Sequence, residues 1–186
     1  RIFPIGPRAA QRVQVTYWLA NPAPQAMSID MTFLMHADEY FGQSAEWRHD
    51  YDFTVTIVGP GADRITIDGS LLNRVFSIFE DATDTCVTPG VDFPVSISGL
   101  TLTRGQRNVQ NNPGGAIYSE KSLTLDSVVI TSSVAAAGGG VAFQTVYAGQ
   151  SLDIKDSRFI DNVAKPIAGA NVQPNGGGLL VRERCA

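Results

Sequence analysis

The chain has 186 residues, of which 44% are apolar and 17% charged, with a net charge of −4. That length suits one ordinary domain with its own core. The 14 Lys and Arg residues are scattered, which argues against a nucleic-acid partner because phosphate binding needs clustered cations. No stretch approaches the roughly 18 apolar residues of a membrane span.

The chain opens at Arg1 with neither Met nor a basic-then-apolar leader. A processed chain or one excised from a longer protein is expected to begin so, and the missing leader is no argument for the cytoplasm. Pro4, Pro7, Pro22 and Pro24 cut residues 1–52 into short pieces. Within them, the alternation of Val13, Val15, Tyr17 and Leu19 predicts a strand over 12–20. Residues 27–40 fit either a strand or a short helix. The whole of 1–52 reads as an irregular segment that caps the rest of the chain.

From residue 53 the pattern changes to a repeat. Val55 and Ile57, then Ile65 and Ile67, flank the turn Gly59-Pro60-Gly61-Ala62-Asp63. They align with Val95, Ile97, Leu100 and Leu102, then Leu123, Leu125, Val128 and Ile130, then Leu152, Ile154, Ser157 and Phe159. Val95, Leu123 and Leu152 fall 28 and 29 residues apart. Short period-two runs repeating at that length predict a stacked solenoid in which each coil covers the apolar face of the next. Four apolar columns then run along the axis, with Ser157 the polar intruder. Glycine-led segments complete the repeat: Gly114-Gly115-Ala116-Ile117-Tyr118, Gly139-Gly140-Val141-Ala142-Phe143 and Gly177-Gly178-Leu179-Leu180-Val181. Aligned on their glycine pairs, they make 115–119, 140–144 and 178–182 equivalents of 75–79, and they place Tyr118, Phe143 and Val181 in one column.

Three stretches break the coil length: 80–93, 104–113 and 165–175. In a solenoid, such insertions gather on binding faces. Of the two cysteines, Cys86 follows the strand at 75–79 and Cys185 follows the last glycine-led strand. At about 4.8 Å per strand they stand roughly 14 Å apart, against a Cα limit near 7 Å for a disulfide, so no internal bridge is expected. After Val181 the register asks for another alternating run, whereas the sequence ends at Ala186. The last coil is therefore expected to be unfinished, either in a fragment of a longer protein or beneath another subunit. A homo-oligomer joined through a coil end is the expectation.

The stretch from Thr56 to Gly69, the run Ser96-Ile97-Ser98-Gly99-Leu100-Thr101-Leu102 and the Gly-Gly-Ala-Ile-Tyr lead resemble right-handed parallel β-helix repeat proteins. These are bacterial secreted or surface proteins of the pectate-lyase-like superfamily, and the resemblance covers about residues 53–182. It implies an all-β solenoid of about four coils, three parallel sheets and a secreted or cell-surface setting. It implies little about activity, since this fold hosts lyases, hydrolases, adhesins and passive spacers. The expected organisation is a single domain: a cap over 1–52 and coils over 53–186.

Four groups of residues bear on chemistry. Asp81 and Asp84, with Glu80 and Asp92 around them, form an acidic loop. Calcium takes several oxygens in flexible geometry, so this loop is the place for a Ca²⁺ ion, although no cofactor is required and the spacing matches no defined calcium loop. Arg104, Ser132 and Asp161 occupy equivalent positions, each one residue past a repeated run, with Arg107 nearby. A cation and a carboxylate about 10 Å apart along the stack suit a polysaccharide lyase, in which Arg serves as base or charge neutraliser. His36 and His49, each followed within two residues by a carboxylate, suit a general base for a serine such as Ser44. No Gly-x-Ser-x-Gly or His-Glu-x-x-His pattern occurs. Tyr118 and Phe143 are aromatic faces on which sugar rings can stack. The leading expectation is a non-catalytic extracellular module that binds a polysaccharide, a cell-surface glycan or another surface partner, with Tyr118, Phe143 and Arg107 as binding residues. The alternatives are a carbohydrate-active enzyme, lyase or hydrolase, and an ester hydrolase with an unconventional Ser/His site.

Overall fold

A computed structural model describes residues 10–18, 26–37, 49–78, 92–107, 113–146, 148–166 and 174–183, with side chains from Thr54 onward. Among the described residues the regular structure is entirely β. The chain begins with β1 (Ala10–Trp18), β2 (Ala26–Ala37) and β3 (His49–Val58), then β4 (Thr66–Asp68) and β5 (Phe76–Ile78). The next pass gives β6 (Val95–Ser98), β7 (Thr101–Thr103), β8 (Gln106–Arg107) and β9 (Ile117–Ser119). It is followed by β10 (Leu123–Asp126), β11 (Val129–Thr131), β12 (Val134–Ala135) and β13 (Val141–Thr145). The last pass is β14 (Leu152–Lys155), β15 (Arg158–Ile160), β16 (Val163–Ala164) and β17 (Leu179–Glu183).

Like strands stack on like. β3-β6-β10-β14, β4-β7-β11-β15, β8-β12-β16 and β5-β9-β13-β17 are consecutive neighbours in four sheets, and every one of these pairs is parallel. The chain is a parallel, solenoid-like stack. The resemblance implied three sheets. The fourth is the stack of two-residue strands β8, β12 and β16, too short to show any alternation.

The expected apolar columns are the core. Val55, Val95, Leu123 and Leu152 pair in register, as do Ile57, Ile97, Leu125 and Ile154. Ile67, Leu102, Ile130 and Phe159 form a third column. Ile97, Leu100, Leu102, Leu125, Val128 and Ile130 are wholly buried. Each such side chain contributes about 1.5–3 kcal/mol through removal from water. Alternation with Thr, Ser and Asp on the opposite face fits short strands with one dry side. Ser157 interrupts the remaining column without an energetic defect, because its Oγ accepts the Val128 N–H at 3.0 Å and donates to the Lys155 carbonyl at 2.9 Å.

The corners between these strands are backbone devices. Gly99, Ser127 and Asp156 stack at one bend with φ of 60°, 55° and 47°. At the next bend Arg104, Ser132 and Asp161 have φ of 49°, 54° and 51°. One left-handed residue turns the chain sharply between two extended segments, at roughly 1–2 kcal/mol for a residue with a Cβ. The recurrence of Arg104, Ser132 and Asp161 therefore has a structural cause.

Two expectations are corrected. The N-terminal segment is more regular than an irregular cap: β1 pairs antiparallel with β2 over nine register positions, and β2 pairs antiparallel with β3 over ten. This meander extends the sheet that carries β6, β10 and β14, because the long β3 leaves an edge that β2 can fill. The glycine-led strands are also shifted by one residue. Ile117 pairs with Val141 and Tyr118 with Ala142, whereas Phe143 pairs with Ser119 and Val181. Tyr118 and Phe143 thus stand in different columns. The cause is Gly138-Gly139-Gly140, where the left-handed glycine is the first of three. Gly114, Gly138 and Gly176 share that conformation, with φ of 82°, 57° and 63°. A one-residue shift exchanges the two faces of a strand, which is why Phe143 is a core residue at 2% exposure.

Candidate functional site

The strands β5, β9 and β8 and the corner before β5 bring together Arg74, Tyr118 and Arg107. Tyr118 alternates with the core residues Ile117 and Ser119, so its ring points away from the axis, half-buried. The Arg74 guanidinium lies over that ring, 4.9 Å from its centre, within the range of a cation–π contact. Arg74 Nε donates to the Gly114 carbonyl at 2.7 Å, one terminal nitrogen to the Pro113 carbonyl at 2.6 Å and the other to Ser77 Oγ at 3.0 Å. Burial, then the positive charge of Arg107, lowers the Arg74 pKa to about 10, with Tyr118 acting in the opposite direction. Arg74 therefore remains charged at neutral pH, with Arg107 near enough to act on it. The Tyr118 hydroxyl donates to the Glu120 carboxylate, and Glu120 is itself buried at 6% exposure. Arg107 Nε is buried and has no hydrogen-bond partner. This is unusual, since buried donors are almost always satisfied.

Behind this group, a polar corner leads back into the six-stranded sheet. Asp92 accepts the Ser122 N–H at 3.0 Å, the Ser122 hydroxyl at 2.5 Å and the Gln150 amide at 3.0 Å. Burial would raise the Asp92 pKa, but the hydrogen bonds from Gln150 and Ser122, followed by the charge of Lys121, hold it below its usual value. Lys121 is fully buried, with its ammonium 5.3 Å from the centre of the Phe93 ring. Gln150 bridges further, donating to the Glu120 carbonyl at 2.6 Å and accepting the Val146 N–H at 2.6 Å. The contacts of Asp92 and the Gln150–Glu120 bond link one coil to another, so the network holds the base of the Tyr118 strand in place.

Arg104 is committed elsewhere. Its guanidinium grips Asp68 of the preceding coil, with Nε 2.9 and 3.1 Å from the two carboxylate oxygens, and a terminal nitrogen completes the pair. Hydrogen bonding to Arg104, then the Ser70 N–H, lowers the Asp68 pKa, and Asp68 in turn raises that of Arg104. A guanidinium that holds its proton more tightly is less available in the neutral form that a general base must have. Asp161 lies at the equivalent corner two strands further on, beyond Ser132. The two are on opposite sides of Ser132, and it is Asp68 that meets the Arg104 charge.

The backbone register sets His36 opposite Asp50 and His49 opposite Ala37, one step apart on adjacent strands. Ser44, Asp81, Asp84, Cys86 and Cys185 lie outside the described residues. Among the described residues no three His, Cys, Asp or Glu side chains gather as a metal site, and no helix is long and apolar enough to cross a membrane.

Sequence reasoning singled out Tyr118 and Arg107 but missed Arg74. Its acceptors are the carbonyls of Pro113 and Gly114, some forty residues along the chain, and backbone acceptors leave no signature in side-chain identity. Comparison with known proteins adds no relative: no family model, no curated protein and no solved structure matches this chain.

Proposed function

We propose that this chain is a non-catalytic, secreted or cell-surface module that binds carbohydrate on the outer side of β9. In this reading it is a right-handed parallel β-helix of about four coils, of the pectate-lyase-like type, and it requires no cofactor. The observation that carries the reading is Tyr118. Its ring stands off the core on a rigid strand, its hydroxyl is fixed by Glu120, and the Arg74 guanidinium lies over it. A fixed aromatic face with polar groups at its rim suits a sugar ring, which presents apolar C–H faces and hydroxyl edges. Phe143 drops out of the binding surface, since it fills the core. The ion pair of Arg104 with Asp68 favours binding over lyase chemistry.

The test is retention on a glycan array together with lyase and esterase assays. The expected result is binding that falls at least tenfold in Tyr118→Ala, with no rise in unsaturated-uronate absorbance on polygalacturonate or alginate and no turnover of a chromogenic short-chain ester. Turnover in either assay, or binding indifferent to Tyr118, overturns the reading.

The same proposal places a homo-oligomer contact at the far end of the stack. Among the described residues β14, β15, β16 and β17 are the last strands of their sheets, and Ile154, Ile160, Val163 and Val181 are 39%, 39%, 40% and 56% exposed there. Unpaired parallel edges with apolar side chains favour association, and a second copy presents the same edges. Light scattering over a concentration series should show a mass above the monomer that Ile154→Lys with Val181→Lys reduces. A monomeric mass at all concentrations contradicts the contact.

A further inference from the structure

We propose that Asn175-Gly176 is a self-modification site, at which the asparagine side chain closes onto the backbone and ends as isoaspartate or aspartate. The only co-reactant is water. The Gly176 nitrogen gives up its proton and bonds to Cγ of Asn175, the Cγ–Nδ2 bond breaks, and the amide leaves as ammonia with a proton from solvent. Water then opens the cyclic imide at either carbonyl, and nothing is oxidised or reduced. The reaction asks for a following residue without a Cβ in the way, an N–H not held by an acceptor, and a side-chain amide free to turn. Asn175 and Gly176 are both exposed. In the column of left-handed glycines, the Gly114 N–H donates to the Ala137 carbonyl at 2.9 Å and the Gly138 N–H to the Asn175 carbonyl at 2.8 Å. The Gly176 N–H has no acceptor among the described residues. The residues before these glycines are Pro113, Ala137 and Asn175, so the third copy alone sets an amide side chain beside an unheld N–H. Two other places show what protection looks like. At Asp68-Gly69 the N–H of Gly69 donates to Thr103 O at 2.9 Å, and the carboxylate is held by Arg104 and the Ser70 N–H. The Asn162 amide accepts the Ser133 N–H at 3.1 Å and donates to Ile130 O at 2.7 Å, while the Val163 N–H donates to Ser133 O at 2.8 Å. The consequence at Asn175 is structural. In isoaspartate the main chain runs through the former side chain, and the carbonyl that accepts the Gly138 N–H becomes a carboxylate off the chain. That bond begins the ladder continued by Gly139 N–H to Gly176 O at 3.1 Å and Gly140 N–H to Gly177 O at 3.0 Å, so the last glycine-led strand loosens from its start.

The experiment incubates the whole chain, folded and in urea, at neutral and mildly alkaline pH, and maps the products by peptide mass spectrometry with separation of aspartate from isoaspartate. The protein is kept dilute enough to be monomeric by light scattering, or carries Ile154→Lys with Val181→Lys, so that no second copy covers the coil end. In the folded chain Asn175 should convert at least tenfold faster than Asn162, and faster at the higher pH, since the attacking nitrogen must lose its proton. Its folded and unfolded rates should agree within about threefold because the fold leaves the Gly176 N–H unheld, whereas isoaspartate at Asp68 should form only in urea. Hydrogen exchange at the Gly138 amide should be at least tenfold faster in the isoaspartate form than in fresh protein, and unchanged or nearly so in Asn175→Asp, which adds the charge but keeps the main chain. Conversion of folded Asn175 no faster than that of Asn162, or slowed tenfold or more relative to the unfolded chain, overturns the site. Isoaspartate at Asn175 with unaltered exchange at Gly138 overturns the loosening of the strand.

Discussion

Gly115→Ala should destabilise the stack severely, by about 3 kcal/mol, the upper part of the range for forcing extra atoms into a packed interior. A Cβ on Gly115 would lie 2.1 Å from the Gly139 carbonyl oxygen, 2.7 Å from Val134 N and 2.9 Å from Val134 C. All three are backbone atoms of the next coil, so no side chain can swing aside. Relief requires the two coils to part, which would stretch ladder bonds such as Gly115 N–H to Gly138 O at 3.1 Å and Ala116 N–H to Gly140 O at 2.8 Å. Gly178→Ala is the matched control. A Cβ there meets only Phe159, whose Cβ is nearest at 3.4 Å, and Ala116 already occupies the corresponding register position two coils earlier. It should be neutral or mildly stabilising, by about 0.4–1 kcal/mol through the unfolded chain. Urea midpoints of the two variants read the difference. Equal midpoints would mean that coils do not approach each other at Gly115.

The contrast between these glycines also shows where sequence reading succeeds and where it stops. The columns through Leu123 and Leu125 were legible because strict alternation admits only one register, and a slip of one residue would expose every apolar side chain. The register of the glycine-led strands was not. Gly138-Gly139-Gly140 offers two frames, and the choice depends on which glycine takes positive φ, a property of the backbone that composition does not record. The same limit hid β8, β12 and β16, whose two residues carry no period, and the full extent of β2, whose partner β3 lies beyond the intervening residues 38–48. Of the candidate site, the sequence offered Tyr118, in a shared column with Phe143, as a stacking aromatic and Arg107 as a cation near Arg104, but not which way Tyr118 faces. Arg74 was not offered, because it is positioned by carbonyls. The equivalence of Arg104, Ser132 and Asp161 was read correctly as a repeat position. Its cause is a left-handed corner, and the partner of Arg104 is Asp68, one coil back instead of two forward.

A single apolar column tests the stacking itself. Leu125 is wholly buried between Ile97 of one coil and Ile154 of the next, whereas Ile154 has a neighbour on one side only and is 39% exposed. Truncating a buried Leu or Ile costs about 2–5 kcal/mol, part of it for the cavity left behind. Leu125→Ala should fall within that range. Ile154→Ala removes a similar number of atoms from the same column, but its site is open to water and leaves no closed cavity, so it should cost less than about half as much. Equilibrium urea unfolding of both variants, monitored by circular dichroism at a concentration where the protein is monomeric, provides the measurement. A large loss for Leu125→Ala beside a small one for Ile154→Ala is the result expected of coils that bury one another. Equal losses, or the reverse order, would contradict it.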